Sequence, residues 1–198
     1  MSKYDILAII FVVLIIGIAV YYYFDTDEFQ LKCIVSGVDG DKYCVRENNR
    51  MQEAADLLAN ATEKAKKLIA YVNQKYSDKE NVKRLVNGFN PQKIQQSLPS
   101  HKYTAFSENK GERLVFCLYR KKENERELID EHTLFFVYMH ELSHVMTSSI
   151  GHNSEFWENF KFLLEEAQEC GLHQPQDYKN KPAEYCSMPI RDNPYYDA

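Results

Sequence analysis

A chain of 198 residues, with 27% of them charged, is long enough for one domain with a real core. Its net charge of −5 offers no basic stripe, so nucleic acid is not expected as a partner. Fourteen tyrosines and eleven phenylalanines are expected to fill the core and to line an extended tail.

Residues 6–24, ILAIIFVVLIIGIAVYYYF, carry no charge. As a helix rising about 1.5 Å per residue, they nearly cross a hydrocarbon core of about 30 Å. Asp5 and Asp25 bracket the stretch, and Tyr21, Tyr22 and Tyr23 stand where an interfacial belt would lie. A cleaved signal peptide is the rival; its apolar core runs to about 7–15 residues and leads into small residues. Tyrosines follow here, which points to an uncleaved single-pass anchor behind a short tail of residues 1–5, with a lipid membrane as partner. Lys3 lies before the anchor, and Asp25, Asp27 and Glu28 lie after it, so the positive-inside rule puts the N-terminus in the cytosol.

Residues 25–48 form a linker with a hairpin. Cys33 and Cys44 flank the turn-rich SGVDGDKY. They can close a disulfide, as suits an oxidising compartment, or remain two thiols. The other cysteines are Cys117, Cys170 and Cys186; the odd total leaves at least one thiol over. With no C-x-x-C, a cysteine zinc site is not expected. The single sequon, Asn60-Ala61-Thr62, falls inside a predicted helix.

That helix spans about residues 47–76: Met51, Ala54, Leu58, Ala61, Ala65, Leu68, Val72 and Tyr76 recur at steps of three or four and share one face. SDKENVKRLVNGFNP reads as a short helix ended by Gly88 and Pro91, and another short helix is expected before Pro99. KYTAFS and ERLVFCLYR around Asn-Lys-Gly read as a β-hairpin over residues 103–119. The charged run of residues 121–127 reads as a solvated loop. The next helix should start at Asp130, an N-cap, and run to about Ser149, with Gly151 as its stop. It is apolar over much of its circumference and is therefore expected to be buried. A last helix covers about residues 153–170. The tail, residues 173–198, holds four prolines and four tyrosines and should pack extended along a domain of residues 49–172.

The buried helix carries His140-Glu141-Leu142-Ser143-His144. Two histidines four residues apart project from one helix face and can both reach one tetrahedral zinc ion, Zn2+. Glu141, beside them, can serve as general base to a metal-activated water attacking a peptide carbonyl. A buried helix does not carry two histidines and a glutamate without compensation, because desolvating a carboxylate is costly. A third ligand is needed. His152, swung back by Gly151, is the first candidate; Glu155 and Glu158 on the next helix are alternatives. His101, His132 and His173 have no comparable partners and read as surface or loop residues.

HELSH…GH…EFW resembles the zincin metallopeptidases of the WLM and SprT-like kind. With FNPQKI, SENKG, EFWENFKFLLEEA and DNPYYD, nearly the whole chain resembles short, membrane-anchored WLM-like peptidases of large DNA viruses of algae and their relatives. The step from His144 to His152 is eight residues, where compact zincin motifs use six, and Asn153 stands where an acidic residue often follows the third histidine. The resemblance implies an α+β class: a transmembrane helix, then a mostly helical zincin-like domain with a small antiparallel sheet. It also implies zinc, a protein or peptide substrate laid along the 103–119 hairpin, and a virion or virus-associated membrane. A structural role, tying a membrane to other virion proteins on a retained peptidase scaffold, is the alternative function. A nucleic-acid-linked role like that of some relatives finds no basic surface here.

Overall fold

A computed structural model describes residues 3–25, 31–121 and 124–197. Asp27 and Glu28, and residues 122 and 123 of the charged run, lie outside the described residues. The fold is α+β. Helix α1 (Lys3–Asp25) stands apart. It is apolar all round, so no face of it is turned to a core, and its side chains from Ile6 to Val20 are exposed. At about 35 Å it is long enough to cross a membrane, and its mean hydropathy over Lys3–Tyr22 is 2.6.

Strands β1 (Leu31–Val35) and β2 (Lys42–Arg46) pair antiparallel, with Cys33 opposite Cys44, and the two are disulfide-bonded. Strands β4 (Ala105–Glu108) and β5 (Arg113–Phe116) form the hairpin expected around Asn-Lys-Gly. Between these hairpins lies β3 (Ile94–Gln96), parallel to both β2 and β5, giving the order β1-β2-β3-β5-β4. The sheet is thus mixed, with antiparallel hairpins at its two edges. The segment before Pro99 is this strand and not the expected short helix. Its backbone groups are claimed by neighbours: the Leu114 amide donates to the Lys93 carbonyl at 3.0 Å and the Ser97 amide to the Phe116 carbonyl at 2.8 Å. A ladder partner on each side outweighs any local helical preference in so short a run.

The charged run also differs from the expected loop. Strand β6 (Tyr119–Lys121) pairs antiparallel with β7 (Asn124–Leu128). Arg120 and Glu127 meet across it at 3.5 Å, so the charges decorate the solvated face of a hairpin.

Four helices follow, α2 (Met51–Tyr76), α3 (Glu80–Gly88), α4 (Glu131–Met146) and α5 (Ser154–Glu169); α2 and α4 pack on the main sheet, and α3 and α5 pack on those two. The Asp130 carboxylate caps α4 by accepting from the Thr133 amide at 2.8 Å, and Asn153 caps α5 by accepting from the Phe156 amide at 3.1 Å. Helix α4 touches α2, α3, α5 and β4, which explains its apolarity on every side. Tyr138 stacks on Phe116 at 4.6 Å, and its hydroxyl lies 3.3 Å from that of Thr62, joining sheet, α4 and α2. The helix ends at Met146, short of Ser149: Thr147 still donates its amide to the Ser143 carbonyl, but its own backbone turns extended, at ψ 137°.

The C-terminal segment carries a small hairpin, β8 (Ala183–Tyr185) and β9 (Met188–Ile190), and a 3-10 turn (Pro194–Tyr196). It is held down by the buried Tyr178 and Tyr185 and by a second disulfide, Cys117–Cys186. His173 is buried, not a surface residue. Its ring stacks on His132 at 4.2 Å, and its Nε2 has no hydrogen-bond partner among the described residues.

Candidate metal centre and adjoining cleft

The last turns of α4 and the connection just before α5 bring His140, His144 and His152 together. One nitrogen from each lies within 4.8 Å of the others, and Nε2 of His140 and Nε2 of His152 are 3.1 Å apart. Nitrogens bound at about 2.0–2.1 Å around a tetrahedral ion would stand about 3.4 Å apart, so the three rings are close enough to converge on one ion. All three rings pack around Phe156, at 4.8, 4.4 and 4.5 Å between centroids. Burial, together with the neighbouring imidazoles, pulls His140 down to about 3 and His144 to about 4, so both are neutral. Neutral imidazole is the metal-ligating form. Gly151, at φ +90°, makes the reversal that a Cβ would strain, and it carries His152 back to the cluster.

Glu155 is not part of the cluster. Its carboxylate accepts from the Ser148 amide and hydroxyl, at 3.0 and 2.7 Å, and from Arg84 at 2.8 Å. Among the described residues, the metal-competent group holds the three histidines and neither Glu155 nor Glu158.

The short Met146–Asn153 connection is braced by two cations that sequence reading passed over. Lys110, from the β4–β5 turn, donates to the carbonyls of His144, Thr147 and Ser149, at 3.2, 2.8 and 2.5 Å. Arg84 Nε donates to the Met146 carbonyl at 2.8 Å. Both sit at the C-terminal, negative end of α4. The hairpin reaches this end because Gly88 and Gly111 touch. A Cβ on Gly88 would lie 2.5 Å from the Lys110 carbonyl oxygen, and one on Gly111 2.4 Å from that of Gly88. No local motif marks Lys110 or Arg84; only the Asn-Lys-Gly turn signal places the lysine at a tip.

Glu141 is buried, and its Oε2 has no partner among the described residues. Loss of water pushes its carboxyl up to about 8. It borders, with His140, a cleft of about 410 Å³ walled by α4, α5, residues 102–105 and the C-terminal segment. Tyr185 lines the same cleft, and burial, then the Glu141 charge, raises its phenol well above the ordinary value. The arrangement can hold one metal ion next to an unsolvated carboxyl, at the mouth of an apolar trough.

No family model matches the chain. An uncharacterized protein of Acanthamoeba polyphaga mimivirus is 24% identical over 197 residues, covering 98% of each chain. An uncharacterized protein of Invertebrate iridescent virus 6 is 35% identical over 69 residues, covering 35% of this chain and 38% of that one. Among solved structures, Wss1 from Saccharomyces cerevisiae and a Wss1 mutant align with 65% of this chain, covering 90% and 92% of theirs. Identity is 15% and 14%, and the TM-score is 0.48 in both. Two uncharacterized viral proteins by sequence and Wss1 by structure are thus among the proteins this chain is similar to.

Proposed function

We propose that the chain is a membrane-anchored, zinc-dependent metallopeptidase. The observation that carries this reading is the convergence of three imidazoles beside the buried Glu141, whose Oε2 has no partner among the described residues, at the edge of a cleft. The donor set fits zinc: three imidazole nitrogens within 4.8 Å of one another, the ligand number of a catalytic site that keeps a fourth position for water or substrate. His140, His144 and His152 would hold the ion, which when bound supplies Lewis-acid polarisation and an easily deprotonated water. With a cation held beside it, the raised pKa of Glu141 would come down, and the resulting carboxylate would take the proton of the attacking water and return it to the leaving amine. Strand β4, an edge of the sheet, offers its outer backbone to an extended protein or peptide substrate. Helix α1 supplies the anchor. Two disulfides suit a domain on the oxidising side of the membrane, with the N-terminus in the cytosol. The viral relatives favour a virion or virus-associated membrane.

The full chain in detergent, measured for zinc content and peptide hydrolysis, tests this. Zinc near one per chain is expected, lost in His144→Ala and retained in Glu141→Gln, with hydrolysis lost in both. Zinc-free wild-type protein, or full hydrolysis by Glu141→Gln, would sink the reading. A zinc-loaded protein inert toward every peptide and tolerant of Glu141→Gln in the virus would instead mark a scaffold tying a membrane to virion proteins.

A further inference from the structure

We infer that the cleft beside Glu141 is a subsite for one bulky apolar side chain of the substrate, with the β8–β9 hairpin as its specificity wall. The inference rests on the peptidase reading. The floor is Phe136, Val137 and Phe160, all buried and apolar. The walls are Trp157, Met188 and Ile190. Trp157 and Met188 are 45% and 50% exposed, apolar surface that a bound side chain would cover. Apart from the buried Glu141 at one end, the charged groups on the cleft, Lys102, Arg191 and Asp192, are exposed and belong to its rim. An acidic substrate side chain would therefore lose its water on the floor and find no counter-ion there.

The volume of about 410 Å³ lies within the range of small-molecule sites and is ample for one aromatic ring. Position also argues for a substrate residue. Glu141 and His140 form one end of the cleft, and Thr104 and Ala105, at the start of edge strand β4, form a side. A strand added to β4 would send alternate side chains toward the helices. Met188 and Ile190 of the wall come from β9, in the hairpin that the Cys117–Cys186 bond ties to the end of β5. Specificity is thus assigned to a segment outside the helix that carries the histidines.

Trp157 is the single tryptophan of the chain and lines the cleft, with His152 beside it, so at fixed zinc loading its emission reports on what enters the cleft. Zinc-loaded full-length Glu141→Gln protein is titrated with tryptophan-free decapeptides carrying Phe, Gly or Glu at one position. Wild-type protein is given the matching peptide library for cleavage mapping. The Phe peptide is expected to bind about 10- to 100-fold more tightly than the Gly peptide, the range for burying one large apolar side chain. Ile190→Lys should reverse the Phe-over-Glu order. Equal binding of Phe and Gly peptides, or an order untouched by Ile190→Lys, overturns the inference. Hydrolysis without apolar preference would defeat the subsite and leave the peptidase. An apolar binding order without hydrolysis would defeat the peptidase and leave the subsite.

Discussion

Lys110→Met removes the ammonium that spans three carbonyls at the end of α4 and leaves most of the aliphatic stem in place. Each bond from a charged donor is worth about 1.5–3 kcal/mol when nothing replaces it. Lys110 is half-buried, so water can reach part of what it vacates. Counting one bond as lost outright, and about 0.3–1 kcal/mol for the charge at the helix end, gives about 2–4 kcal/mol. In a domain of this size that lowers Tm by about 4–16 °C. The freed carbonyls belong to residues 144–149, the stretch that leads to Gly151 and His152. Zinc affinity should therefore also fall, by about tenfold, as for loss of a supporting partner at a metal site. Thermal unfolding and competition with a chelator read the two effects separately. Lys110→Arg keeps the charge and should recover part of both. A Tm change under about 1 °C, or equal losses in the Met and Arg variants, would refute the bracing role.

Gly88→Ala drives a methyl into the Lys110 carbonyl and the Val145 side chain, and should cost about 1–3 kcal/mol in urea unfolding; an unchanged midpoint would contradict the close approach. The buried His173 is lowered from 6.5 to about 3 by loss of water, then by His132 and Lys64. The unfolded chain takes up the proton first, so this stability is full above about pH 6.5 and lost as pH falls toward 3, at up to about 1.4 kcal/mol per pH unit. His173→Phe should flatten that slope in denaturant titrations between pH 7 and 4, and an identical slope would rule the assignment out. Removing Cys117–Cys186 as a double alanine variant should cost about 4 kcal/mol from its sequence separation of 69, against about 3 for Cys33–Cys44 with 11. Calorimetry that ranks them the other way would show that chain entropy is not the main term.

What the sequence discloses here is what depends on near neighbours. Asp130 and Asn153 announce two helix starts because a cap needs only the next three residues. The helical spacing of His140 and His144 is likewise local, and Gly151 signals the reversal before His152. Strand β3 stays hidden because its three residues become a strand only between β2 and β5, some fifty residues before and twenty after it. Lys110 stays hidden for the same reason: its acceptors lie 34 to 39 residues downstream. The burial of His173 depends on His132 across the domain, and the pairing of Cys117 with Cys186 is one of several that five cysteines allow.

The sheet order also sets a leash. Asp25 ends α1 and Leu31 opens β1, so at most about 21 Å of extended chain separates them. β1 and β4 are opposite edges of a five-stranded sheet, about 19 Å apart at the usual strand spacing. With α1 set in a bilayer, as proposed, the cleft works within about 40 Å of the lipid surface. A target free in bulk solvent is no better served by such an enzyme than by any slow collision. One whose cut site rides the same membrane at that height meets it in two dimensions.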